Sequence, residues 1–202
     1  MNLKTNLSQK NQTRLSVEDN SMPFKLMQSL INQLPSSLTE IVVICIGTDR
    51  STGDSLGPLT GTLLSERKTS TIHVYGTLQD PIHAVNLVEK LEAIEKEHPN
   101  TFIIAVDACL GRVKSIGNVI TGNGPIQPGK ALNKELPSVG NIHISGVVNV
   151  SGYMEFLVLQ NTRLHVVMQM AKKIAQAMAL LDHHLLKNRD KVIPLPNTQA
   201  KT

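Results

Sequence analysis

EIVVICIGTDRSTGDSLGP (Glu40–Pro58) decides the fold. Its first eight residues form a short, continuous apolar run rich in β-branched side chains, which fits a strand covered on both faces. A glycine-punctuated turn follows, and Leu56 to Arg67 reads as a helix with Gly57 and Pro58 at its start. The unit then recurs. TIHVYG (Thr71–Gly76) predicts a second strand, and Asp80-Pro81 supplies an N-cap and first-turn proline for a helix to about Lys96. Thr101 to Val106 predicts a third strand, inside the apolar run FIIAVDA (Phe102–Ala108). Strands alternating with helices of this length imply right-handed crossovers and an α/β fold: a doubly wound, mostly parallel sheet with helices on both faces.

Outward from that core, FKLMQSLINQL (Phe24–Leu34) has helical apolar spacing and ends at Pro35. Gly111 to Gly140 is rich in glycine and proline and predicts turns with one extra strand at NVITG (Asn118–Gly122). Asn141 to Val150 supplies another strand or a site loop. Thr162 to His184 is the clearest helix, with Leu164, Val167, Met168, Ala171, Ile174, Ala175, Met178 and Leu181 on one face. The expected organisation is a disordered polar tail over 1–22, one α/β domain over 23–187, and a basic disordered tail over 188–202.

Composition narrows the class. The chain has no Trp, two Tyr and three Phe, so the core is built from Ile, Val, Leu, Met and Ala. The net charge of +4 resides in the ends, which carry seven basic and three acidic side chains and leave 13 of each sign between them. A neutral body with few aromatics has neither the cationic stripe nor the stacking platforms of a nucleic-acid binder. No apolar run approaches the roughly 20 residues of a membrane span, and the amino terminus lacks a signal-peptide core, so a cytoplasmic protein is expected. Cys45 in a strand and Cys109 in a predicted loop argue against a disulfide framework.

Two carboxylates stand out against this frame. Asp54 lies in the turn GTDRSTGDSLGP (Gly47–Pro58), and Asp107 ends the run FIIAV, where a carboxylate loses hydration unless it has a partner or a task. The carboxyl ends of strands in such a sheet are where ligands gather. If the first and third strands are neighbours, the two carboxyls face one crevice, share a proton and activate water. The same pair suits a divalent cation, and Asp54 alone suits a helix N-cap. His83 and His143 are substrate-binding candidates on the same rim, as is Asp49 in the turn. The turn matches neither G-x-x-x-x-G-K-[ST] nor G-x-G-x-x-G, and its acids oppose a phosphate. Cys109 has no histidine motif beside it, and Ser51, Thr52 and Ser55 lack a G-x-S-x-G context and read as loop and capping residues.

GTDRSTGDSLGP, VDACLGR, GPIQPGKALNKELPSVGN and SGVVNVSGYMEFLVLQNTR, in that order, closely resemble the sporulation protein YyaC family of spore-forming bacteria. The resemblance runs from about Glu40 to Leu181. That family is distantly similar to the germination protease that degrades small acid-soluble spore proteins and to hydrogenase maturation endopeptidases. The resemblance implies a hydrogenase-maturation-protease or phosphorylase-like fold. GDSLGP places Asp54 at the acidic position of the peptidases' first turn, and VDAC places Asp107 at their Asp-Ala, which implies an aspartate pair as the catalytic residues. His143 is the one match to the histidine with which maturation endopeptidases hold nickel of their substrate. IQPG has Gln127 where the germination protease has His. The expected protein is thus a metal-independent, cofactor-free endopeptidase of the forespore or spore, acting on a protein or peptide, possible substrates being small spore proteins, with homo-oligomerisation left open. The alternative is a non-catalytic protein holding a peptide, metal or anion in the same crevice.

Overall fold

A computed structural model of the chain describes residues 12–36, 38, 40–128 and 136–192, those from 188 onward by their backbone alone. Along the chain run β1 (Thr13–Ser16), α1 (Met22–Ile31), β2 (Ile41–Cys45), α2 (Leu56–Ser65), β3 (Ile72–Tyr75), α3 (Leu87–Glu97), β4 (Phe102–Gly111), β5 (Asn118–Asn123), β6 (Ile142–Val150), α4 (Glu155–Gln160) and α5 (Leu164–Val192). The strands form one sheet in the order β1-β5-β6-β4-β2-β3. β2 lies parallel to β3 and β4, and β4 parallel to β6, while β5 runs antiparallel to β6 and β1. This is the doubly wound α/β fold expected from the alternation of strands and helices.

The apolar run of β2 explains its central place. Ile41, Val43 and Cys45 enter the larger core with residues of α1, α2 and α5, whereas Val42 and Ile44 enter a smaller core with Leu87 and Ile94 of α3. A strand buried on both faces needs apolar side chains at every position rather than at alternate ones. Helix α5 covers the larger face with Val167, Met170, Ala171, Ile174, Ala175, Met178 and Leu181. Its buried Asp182 accepts hydrogen bonds from the Ser70 and Thr71 amides and the Thr71 hydroxyl, tying the helix to the start of β3. No helix among the described residues is long and apolar enough to cross a membrane.

Several local expectations are corrected. The segment read as a polar tail contributes β1, which pairs with β5, and Val17 and Met22 are buried. Its polar composition hides a short strand that the edge of β5 stabilises. Residues 1–11 lie outside the described residues. At the other end α5 runs to Val192, so residues 188–192 are helical and His183 and His184 are interior to the helix, while 193–202 lie outside the described residues. Asp80-Pro81 does not start α3. The Asn86 side chain accepts from the His83 amide and donates to the Pro81 carbonyl, which holds a turn and delays the helix to Leu87. His83 therefore precedes the helix, and Asp80 pairs with Lys90 at 2.7 Å. Finally, β4 continues to Gly111 because β6 accompanies it, so Asp107 and Cys109 lie within the strand, not past its end or in a loop.

Candidate functional site

The end of β2 sets the position of both aspartates. Its last pairing with β4 is Cys45 to Val106, so Asp107 comes next on β4 where β2 has already turned away. On its other side Asp107 is opposite Ser145 of β6. The turn after β2 then brings Asp54 back over this gap. Gly47 has φ +143°, and a Cβ there would lie 1.9 Å from the Asp54 carbonyl oxygen; one on Gly57 would lie 2.1 Å from that of Ile46. The glycines serve a tight fold-back of backbone on backbone. Thr48 N–H donates to the Asp54 carbonyl at 3.2 Å. The N-cap position of α2 belongs to Ser55, whose hydroxyl donates to the Thr52 carbonyl at 2.7 Å. Asp54 is thus free of the capping role that its sequence position suggested.

The two carboxyls differ in electrostatics. Burial holds the Asp107 pKa well above the usual carboxylate range, and the nearby Asp54 charge raises it further; the Ala108 amide, 2.8 Å from its Oδ1, offsets part of this. Burial pushes Asp54 up to about 6, against the pull of the Thr48 backbone amide and the charge of His83. With both values raised side by side, the pair holds a single shared proton more readily than two charges. Burial and the Asp107 charge push the Cys109 thiol up to about 11, with Arg14 opposing. It stays a thiol at neutral pH and is a poor nucleophile.

Both aspartates open into a cavity of about 660 Å³. Thr48, Ser51 and Ser145 share its polar floor, and Gln12, Asn123 and His143 lie toward the β1 side. Phe156 and Leu159 of α4 form one apolar wall; Pro125, Ile126 and Pro128 form another, with Gln127 between them. His143 Nδ1 is 2.9 Å from the Gly124 carbonyl. A carbonyl only accepts, so Nδ1 carries the hydrogen. His83 lies outside the lining, yet is close enough for its charge to act on Asp54. Asp49 is exposed, apart from the cavity, with its carboxylate 3.5 Å from the Thr48 hydroxyl. Among the described residues no group of three or more His, Cys, Asp or Glu is placed to hold a metal ion.

Sequence reasoning missed three contributors. Ser51, read as a loop residue, is buried at the cavity with a hydroxyl that has no hydrogen-bond partner in the described protein. Gln12 arrives by way of the unexpected β1. Helix α4 was not foreseen as an element, although Phe156 and Leu159 stand three residues apart, as one helix face requires.

Comparisons with known proteins agree with this architecture. The family described as "Protein of unknown function (DUF1256)" matches residues 14–177. The "Uncharacterized protein YyaC" of Bacillus subtilis (strain 168) is 60% identical over 142 residues, covering 70% of this chain and 69% of that protein. This bears out the resemblance carried by the four motifs. The crystal structure of a nickel–iron hydrogenase maturation protease HycI from Thermococcus kodakarensis KOD1 matches with a TM-score of 0.52 and 19% identity, over 76% of this chain and 99% of that one. At that identity the likeness shows a shared fold.

Proposed function

This chain belongs to the DUF1256 family, and from that premise we propose that it is an aspartate-dependent endopeptidase of spore-forming cells. Its substrate is a protein or peptide met in sporulation or germination, small spore proteins being the first to try, and its place of action is the forespore or spore. The observation that supports this reading is the pair itself. Asp54 and Asp107 share one cavity floor, and the charge of the first raises the pKa of the second.

Asp54 is the proposed base and Asp107 the proposed acid: ionised Asp54 accepts a proton from water as the water oxygen attacks the peptide carbonyl carbon. The carbonyl oxygen becomes an oxyanion as the new C–O bond forms. Collapse of this intermediate breaks the C–N bond, and Asp107 gives its proton to the departing amine. Asp54 is then protonated and Asp107 ionised, and transfer of one proton between them restores the starting state. The rate therefore rises as Asp54 loses its proton near pH 6 and falls when Asp107 loses its own.

The second reading, a non-catalytic peptide binder, is favoured by Gln127, which lines the cavity where the germination protease has a histidine. The deciding experiment incubates the full chain with purified small spore proteins and a casein digest panel and follows fragments by mass spectrometry. Asp54→Asn and Asp107→Asn are each expected to lose cleavage while keeping the far-UV spectrum. Full activity in both variants overturns the peptidase. Peptide binding by the wild type without turnover selects the binder.

A further inference from the structure

Helix α4 and the two residues before it present apolar surface that the protein's own packing does not use. Tyr153 and Met154 are 98% and 69% exposed, and Phe156 and Leu157 are 50% and 42% exposed. Contiguous apolar surface next to a cavity marks recognition, whereas singly scattered apolar residues mark nothing. Met154, which leads into the helix, has φ 59°. A non-glycine residue rarely adopts that conformation and does so where the surroundings enforce it. The side chains divide between two sides. Phe156 and Leu159 line the cavity of the aspartates, whereas Tyr153, Met154 and Leu157 line a separate shallow groove.

The helix is also bonded to the floor of the site. The Gly53 amide donates to the Leu159 carbonyl at 2.8 Å, one residue before Asp54. The space between them is filled, because a Cβ on Gly53 would lie 2.9 Å from both Leu159 Cδ2 and Thr162 Oγ1. On the far side the Asn149 side-chain amide donates to the Val158 carbonyl at 3.3 Å. The α4 wall thus has a set position relative to Asp54.

We propose that Phe156 and Leu159 form an apolar specificity subsite, which takes a large aliphatic or aromatic side chain of an extended peptide beside the bond that lies over Asp54 and Asp107. This deepens the peptidase reading and rests on it for the identity of that bond. The occupant follows from the cavity's chemistry. Among the described lining residues the carboxyl groups are Asp54, Asp107 and Glu155, so an acidic side chain meets like charge. Between Phe156 and Leu159 an apolar side chain leaves water, while the peptide's polar backbone faces the carboxyls.

The test uses fluorescein-labelled decapeptides that differ at one central residue, Leu, Phe, Ala, Lys or Asp, with binding to the full-length Asp107→Asn protein read by anisotropy. The Leu and Phe peptides are expected to bind at least about tenfold more tightly than the Asp peptide, the scale of one buried side chain. Phe156→Ala, added to Asp107→Asn, is expected to reduce that preference to under about threefold while the Asp peptide is unaffected. Phe156 is half-exposed, so the variant keeps its fold, which thermal melting checks. Equal binding of all five peptides, preference for Lys, no binding at all, or a preference that survives Phe156→Ala each overturns the subsite. So does finding that Phe156→Ala instead abolishes self-association in sedimentation or binding to neutral lipid vesicles. Incubating the same peptides with wild-type protein separates the two claims: selective binding without cleavage sinks the peptidase and leaves the subsite standing.

Discussion

The floor of the cavity and its α4 wall are built by opposite means. The floor hangs from β2 and β4, whose residues Val42, Ile44, Ile104 and Val106 have no solvent exposure, and its turn closes by backbone contacts that admit glycine alone. The wall is a six-residue helix with half-exposed side chains, joined to the floor at Gly53. Chemistry that needs two carboxyls at a set separation belongs on the rigid part, since small displacements cost large factors in rate. Recognition of a side chain tolerates a more exposed element. On the proposed reading, the contrast teaches that the groups assigned to move protons are rooted in the core, while those assigned to choose the substrate are not.

Substitution breaks the comparison most sharply at the floor. Asp54→Asn and Asp107→Asn are each expected to lower kcat/KM by about 10²–10⁴-fold, the range of general acid–base catalysis, measured on any peptide that the wild type cleaves. Gly57→Ala comes next. Its new methyl group would lie 2.1 Å from the Ile46 carbonyl oxygen, and neither backbone can yield cheaply. A loss of about 3 kcal/mol is expected from urea unfolding. The matching change on the wall, Tyr153→Ala at a 98% exposed position, is expected to stay within about 0.5 kcal/mol of wild type in the same assay. A comparable loss at both positions would erase the distinction.

Stability against pH sharpens it further. Both carboxyls bind their protons more tightly in the folded chain than in the unfolded one. Their contribution is therefore complete below the unfolded pKa of about 4 and is lost as pH rises through their raised folded values, about 6 for Asp54. Asp107→Asn is expected to be the more stable protein at pH 8 by about 1–3 kcal/mol, with the gain shrinking toward pH 4. Denaturant melts at the two pH values check the sign. Ser51→Ala has the smallest effect, within about 0.5 kcal/mol of wild type in the same melts, because its buried hydroxyl has no partner in the described protein to lose.

The same division governs what can be read in the sequence. β2 and β4 are legible because burial on both faces leaves an unbroken apolar run, and Asp107 is legible because a carboxylate interrupts it. Asp54 follows from the glycine turn and from the motif that resembles the peptidases. β1 is not legible, since four residues with one large apolar side chain, Leu15, acquire their structure from the edge of β5. The late start of α3 is set by side-chain bonds of Asn86 that override a good Asp-Pro signal. Asp49 and His83 share the rim in sequence, yet one points away and the other acts on Asp54 only from outside the cavity. Such differences lie in side-chain direction, which spacing along a loop does not encode.

The central claim is that Asp54 and Asp107 act as one titrating pair. Its most direct test is a carbon-13 NMR titration of the aspartate side-chain carboxyls in the full chain, with Asp54→Asn and Asp107→Asn used to assign the signals. Asp54 is expected to titrate near pH 6 and Asp107 well above the usual carboxylate range, and Asp54→Asn is expected to lower the Asp107 value by removing the opposing charge. Two carboxyls that both titrate near pH 4, neither moving when the other is replaced, would contradict it.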